Sequence, residues 1–199
     1  MSPADPLEAG ALEQALSGQI IGHRVLVLQE TTSTNDVVAS SATEHAEGLV
    51  VIAERQTAGR GQYGRRWESA TGKGLWLSVL LRPNIAVGDS GRITDFLASS
   101  IVATISEELG LEATIKPPND VYLGSRKVAG VLVEMRVEAN GSYCAVAGLG
   151  LNINHTLEDF SPELRQTAGS LAITAGHSLD RFALTVALLR NLNARYGTL

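Results

Sequence analysis

Short apolar runs separated by turn chemistry fill the chain between Arg24 and Leu151. RVLVLQ (24–29), GLVVIA (48–53) and LWLSVLL (75–81) are too short for buried helices and rich in branched side chains, which predicts three buried strands. Thr114 to Lys116 predicts a fourth. Pro117-Pro118 should then take the chain off the sheet and fix Asn119 and Asp120 in a rigid turn. Asp120 to Leu123 begins another strand, which Gly124-Ser125-Arg126 turns back. From Val131 to Glu138 the period is two: Val131, Val133, Met135 and Val137 share one face, and Glu134, Arg136 and Glu138 the other. Asn140-Gly141 is a two-residue hairpin signal, and Ser142 to Leu151 returns to close an antiparallel meander.

The other rhythm is helical. Ile93, Leu97, Ile101, Ile105 and Leu109 recur every fourth position and predict a core-packing helix ended by Gly110. LEAGALEQAL predicts a short helix stopped at Ser17-Gly18, and Asn35 to Ser41 another, with the hydroxyl and amide residues before it as its cap. Residues 155–177 predict one short helix. Ser178 reads as the N-cap of a last helix carrying Leu179, Phe182, Val186 and Leu189 on one side. The sum is an α+β domain: a mostly antiparallel mixed sheet with helices packed on one face.

At 199 residues and 44% hydrophobic, the chain can bury one substantial core. A net charge of −5 argues against a generic nucleic-acid binder. The single cysteine, Cys144, excludes an internal disulfide framework, and His23, His45, His155 and His177 are too scattered to read as a metal cluster. With no leader-like start and no run of membrane-spanning length, a reducing, cytoplasmic setting is expected.

Against that acidic background one stretch stands out, ERQTAGRGQYGRRW from Glu54 to Trp67. Gly59, Gly61 and Gly64 alternate with Arg60, Arg65 and Arg66, so backbone N–H groups and guanidinium forks are both accessible to an anion. A basic loop between two buried strands suits a phosphate. Three glycines and clustered like charges predict that it orders only around a ligand. The polar run Glu30 to Asp36 reads either as a helix cap or as small groups lining a pocket for a neutral polar ligand. Lys127, just after a turn, reads on its own as a solvated charge.

Four separated segments match one family in order and spacing: Ser33-Thr34-Asn35; Gln56 with Gly59-Arg60-Gly61 through Gly64 and Trp67; Lys116 with Pro118-Asn119-Asp120; and Lys127 with Ala129-Gly130-Val131-Leu132 and Glu134, followed by Gly148, Gly150, Leu151 and Asn152. Over residues 25–195 the chain resembles the biotin protein ligases. The resemblance implies a biotin/lipoate ligase-like catalytic domain that makes biotinyl-5′-adenylate from biotin and ATP, with Mg²⁺, and transfers biotin to a lysine of a biotin carboxyl carrier protein domain. It further implies that Ser33, Thr34, Asn35, Gln56, Arg60, Gly61, Gln62 and Lys127 bind biotin. Arg60, Arg65, Trp67, Asn119 and Asn152 would bind ATP, and Lys127 and Arg60 would be catalytic, with no protein metal cage. For Asp120 and Glu134, structural bonding and a direct role stand level.

Two positions depart from the family pattern: Gln62, where a further arginine is common, and Pro117, where tryptophan is common. Residues 1–22 are expected as an N-terminal extension and 23–199 as the catalytic domain. The DNA-binding domain and C-terminal β-barrel of some relatives are expected to be absent, hence no direct DNA binding, and no membrane association is expected. A homodimer through a sheet edge is open. Rival readings are a lipoate or octanoate attachment enzyme with Cys144 as nucleophile, and a non-enzymatic biotin-binding module.

Overall fold

The computed structural model describes residues 7–139 and 141–199; Asn140, half of the hairpin signal, lies outside the described residues. The strands are β1 (Arg24–Thr31), β2 (Leu49–Gln56), β3 (Gly74–Leu81), β4 (Ala113–Lys116), β5 (Asp120–Leu123), β6 (Arg126–Val137) and β7 (Tyr143–Asn152). They form one sheet in the order β1-β2-β3-β7-β6-β5-β4. Only β1 and β2 run parallel, joined by a crossover through α2 (Thr34–Ser41), since parallel neighbours cannot be linked by a tight turn. All other pairs are antiparallel, as the meander pattern predicts.

Alternation gives the sheet two unlike faces. On one, Val50 and Ile52 of β2, Leu75, Leu77, Val79 and Leu81 of β3, and Ala145, Ala147, Leu149 and Leu151 of β7 build the main core. Helices α1 (Ala9–Ala15), α3 (Gly91–Leu109) and α5 (Arg181–Tyr196) cover it with Leu12, Ile93, Leu97, Ile101, Leu188, Leu189 and Leu192. Gly110 ends α3 in the left-handed region (φ 63°), as its place in the sequence demands. On the other face a smaller cluster, Leu49, Val51, Leu80, Cys144 and Val146, packs under Val38 of α2 and Ala42 at its end. The expectation of helices on one face therefore needs correcting for α2, whose crossover passes behind the sheet.

Further along this second face the side chains shrink to Ser78, Gly130, Gly148 and Gly150. A Cβ at Gly148 would overlap the Asn35 amide, and one at Gly150 would overlap the Trp67 indole. That patch is the floor of a cavity. Arg181, the first residue of α5, donates to Glu54 at 2.8 Å and to the Gly74 carbonyl at 3.1 Å. This ion pair is almost fully buried, and burial makes each charge dependent on the other.

Two local expectations change. The diproline does not take the chain off the sheet, because Lys116 pairs directly with Asp120 across a tight turn. Asp180, not Ser178, caps α5, accepting from Ala183 N at 2.9 Å; Asn154 brackets Leu179 through both its backbone groups and keeps it extended until that point. Residues 7–22, within the expected N-terminal extension, pack on the domain: Leu7, Leu12, Leu16 and Ile21 belong to the main core. The expected helix in 155–177 is α4 (Leu171–Ala175), preceded by a 3-10 turn at Leu157–Asp159. Among the described residues no helix is long and apolar enough to cross a membrane.

Candidate active site

The cavity on the second face has a volume of about 540 Å³. Ser33, Thr34, Asn35, Gln56, Arg60, Gly61, Gln62, Arg65, Trp67, Asn119, Lys127 and Asn152 all line it, so every residue that the resemblance assigns to biotin, ATP or catalysis is brought to one place.

At one end the lining is neutral and already hydrogen-bonded. Gln56, the last residue of β2, accepts from Thr34 N at 2.8 Å, which fixes its amide orientation and makes Nε2 the donor it offers. The Thr34 hydroxyl lies 2.7 Å from that of Ser78, and Ser78 donates to Asn35 Oδ1 at 2.6 Å. Asn35 Nδ2 in turn donates to Glu134 at 2.8 Å. These residues are the first turn of α2, yet Ser33 at the N-cap makes no side-chain capping bond. The polar run thus serves the cavity more than the helix.

At the other end the lining is cationic. The glycine and arginine loop folds back as a small hairpin, with Arg60 paired to Arg66, Gly61 N on Arg65 O at 2.7 Å and Trp67 N on Gly59 O at 2.9 Å. Exposed Tyr63 sits at its tip in the left-handed region (φ 58°). Arg60 donates to both carboxylate oxygens of Asp36 at 2.7 and 2.8 Å and reaches Glu134 at 3.4 Å. The hydrogen bonds from Arg60 hold the Asp36 carboxyl below its ordinary pKa and raise that of the guanidinium. Lys127 Nζ lies 2.6 Å from Asp120 Oδ1 and 5.2 Å from the centroid of the Trp67 ring, a cation held between a carboxylate and a π face. Arg65 is exposed at the rim. Gln62 Oε1 is buried with no hydrogen-bond partner among the described residues.

Two asparagines are partly committed. Asn119 Nδ2 donates to Val131 O at 2.8 Å, so what it can offer is its side-chain oxygen. Asn152 Nδ2 donates to Gly169 O at 3.0 Å and so fastens a wall that sequence reasoning missed. Phe160, Leu164, Thr167 and Ala168 form that wall; no period or motif within 155–177 signals it. Behind it His155 stacks on Phe160 at 5.0 Å and meets Trp76 edge-on at 5.7 Å. Burial pushes His155 down to a pKa of about 4, so it is a neutral packing residue. Asp36 and Ser78 were also missed; a lone hydroxyl in the all-apolar LWLSVLL run was the available signal for Ser78. Cys144 is outside the cavity, buried under α2, where burial pushes its thiol up. No group of three or more His, Cys, Asp or Glu among the described residues could hold a metal ion.

A neutral recess that opens onto paired cations is built for a ligand with a polar uncharged head and an anionic tail, with room for a second anion beside it. The mixed sheet and this cavity define the class, and comparison makes it specific: the Biotin/lipoate A/B protein ligase family matches residues 27–152, and the chain belongs to that family. It is 33% identical to the biotin--[acetyl-CoA-carboxylase] ligase of Mycobacterium tuberculosis over 96% of this chain and 71% of that one. It is equally 33% identical to the bifunctional ligase/repressor BirA of Bacillus subtilis, covering 96% of this chain and 59% of that protein, so it spans little more than half of that relative's length. The biotin protein ligase from Aquifex aeolicus, solved in complex with biotin and ATP, superposes with a TM-score of 0.75 at 28% identity, covering 87% of this chain and 70% of that one.

Proposed function

We propose that the chain carries an ATP-dependent ligase activity: it activates biotin as biotinyl-5′-adenylate and passes the biotinyl group to a lysine of a biotin carboxyl carrier domain. The observation that carries this reading is the meeting of a prebuilt neutral end and a cationic end in one cavity of about 540 Å³. The likeness to the Aquifex protein, whose complex holds biotin and ATP, supports it.

In the first step a biotin carboxylate oxygen attacks the α-phosphorus of ATP, the bond to the β-phosphate oxygen breaks, and pyrophosphate leaves. Two anions must approach each other, and fixed cations in a site shielded from water lower that barrier. Lys127 is the cation between them, its ammonium aimed by Asp120 and the Trp67 ring. Arg60 joins it by exchanging Asp36 for ligand oxygens. Ser33, Thr34, Asn35 and Gln56 hold the ureido head, where neutral donors and acceptors match a neutral ring. The Asn119 side-chain oxygen is the protein group that would hold a Mg²⁺ ion together with the ATP phosphates, whose charge the ion would screen. In the second step the neutral amine of the acceptor lysine attacks the acyl carbon and AMP departs with its oxygen. A cytoplasmic setting, where ATP is at hand, suits this substrate chemistry.

The test is mass spectrometry of the protein mixed with biotin and MgATP. Biotinyl-adenylate is the expected product; tight biotin binding without it would leave only a binding module. Biotin at a hundredfold excess over Kd should stabilise the fold by about 2.7 kcal/mol, and equal stabilisation by lipoate would sink the choice of acid. The cysteine-transferase reading is disfavoured by Cys144 itself, which is 1% exposed and lies outside the cavity.

A further inference from the structure

The wall formed by Phe160, Leu164, Thr167 and Ala168, held to β7 by the Asn152 bond to Gly169 O, is fastened to β6 as well. Lys127 N donates to Thr167 O at 2.8 Å and Gly169 N donates to Lys127 O at 2.9 Å, so the wall and Lys127 share a two-bond backbone bridge. Next to it Arg126 Nη1 donates to Arg165 O at 2.6 Å and to Ala168 O at 2.8 Å. A side chain at Gly169 would place its Cβ 2.8 Å from the Arg126 Cβ, so the missing side chain is what lets the arginine stem lie along the wall. Arg126 does not line the cavity and makes no ion pair among the described residues. Its guanidinium is committed to carbonyls three residues apart, through charge-assisted bonds stronger than neutral ones.

We propose that Arg126 is a positioning residue for Lys127. It locks the wall onto β6, so that closing the wall and setting the Lys127 ammonium against Asp120 and Trp67 become one event. Without it the wall keeps only the two backbone bonds at Lys127 and the Asn152 bond to Gly169 O, and the cationic half of the cavity loosens. The neutral half, held by Thr34, Gln56 and Ser78, has its own bonds and does not feel the loss.

Hydrogen exchange on the ligand-free chain tests the lock directly. In Arg126→Ala the amides of Lys127 and Gly169 should exchange about tenfold faster, while the Thr34 amide is unchanged. Unchanged exchange at Lys127 and Gly169, or equal acceleration at Thr34, overturns the proposal. A second arm rests on the ligase reading: Arg126→Ala should raise the KM for ATP and the rate of biotinyl-adenylate escape about tenfold, with the Kd for biotin within about twofold. If the wild-type chain makes no adenylate, the ligase reading fails while the exchange arm still decides the lock. If the wild type makes it and Arg126→Ala keeps the same KM for ATP and adenylate lifetime, the proposal falls even where exchange is faster. Should Arg126→Ala not fold, Arg126→Lys, which keeps the charge but not the reach to two carbonyls, and Gly169→Ala, which displaces the stem, make the same comparison.

Discussion

The two ends of the cavity are made on opposite principles. At the neutral end Thr34, Asn35, Gln56 and Ser78 are bonded to one another, so the recess keeps its shape whether or not a ligand is present. At the cationic end Arg60 is bonded to Asp36 and Lys127 to Asp120, so an incoming anion has to replace or share an internal carboxylate. Preorganisation makes binding at the first end cheap, whereas the second is an exchange of partners whose net gain appears only when two anions must be brought together. On the proposed reading, the difference means that the neutral end selects and the charged end catalyses.

Removing the central cation should have the largest effect. Lys127→Met keeps the stem over Trp67 and should cost about 3–4 kcal/mol of transition-state stabilisation, read as a fall in pyrophosphate release of roughly two to three powers of ten, with biotin affinity little changed. Near wild-type release would reduce Lys127 to a solvated charge and erase the distinction between the ends.

Next in size is the dryness of the layer behind the wall. His155 has a pKa of about 4 in the fold against 6.5 for an ordinary histidine. Between these values the unfolded chain takes up a proton that the folded one refuses, so stability falls as the pH falls. This contribution is complete above pH 6.5 and lost toward pH 4, about 3 kcal/mol in all. Urea titrations across that window should show a shallower decline for His155→Phe, which keeps the stack on Phe160. Parallel curves would mean the layer admits water.

Thr34→Val probes the neutral end. It removes a hydroxyl from a buried network and should weaken biotin binding about tenfold, leaving the KM for ATP alone. Because no charge is involved, the loss should be the same at low and high salt, measured by calorimetry. A salt-dependent loss would show that the two ends are not separable.

The smallest effect concerns the loop tip. Gln62→Arg adds a cation beside Arg60 and Arg65 and should slow adenylate escape about two- to fivefold, with stronger protection of Arg65 and Arg66 from trypsin in the presence of biotin and MgATP. Cleavage equally fast with and without ligand would mean that the hairpin closes over nothing.

Much of this arrangement was legible because it is local. The GLVVIA and LWLSVLL runs, the period of two from Val131 and the fourfold spacing from Ile93 each imprint their own geometry on the sequence. The convergence of the polar run, the basic loop and Lys127 was legible only through the order and spacing of motifs. What escaped depends on contacts across the chain. Glu54 and Arg181 are 127 residues apart, and no pattern pairs them. Asp36 reads as a helix-start residue until Arg60 is brought to it. Asn152 lines the cavity, and the Gly169 carbonyl to which its Nδ2 donates belongs to a wall whose sequence carries no period at all. The cap at Asp180 was displaced from Ser178 by Asn154, again through a contact invisible from neighbouring residues.

β7 carries the core and the cavity floor on alternate residues: Ala147, Leu149 and Leu151 face one way, and Gly148, Gly150 and Asn152 the other. Adding or deleting one residue within this strand would turn leucines into the binding space and glycines into the interior in a single step. Reading frame at the level of the strand is therefore under a double constraint, and length variation in a family built this way should collect in the connecting loops and be excluded from residues 143–152. A library of single-codon insertions, scored for soluble expression, would draw that boundary residue by residue.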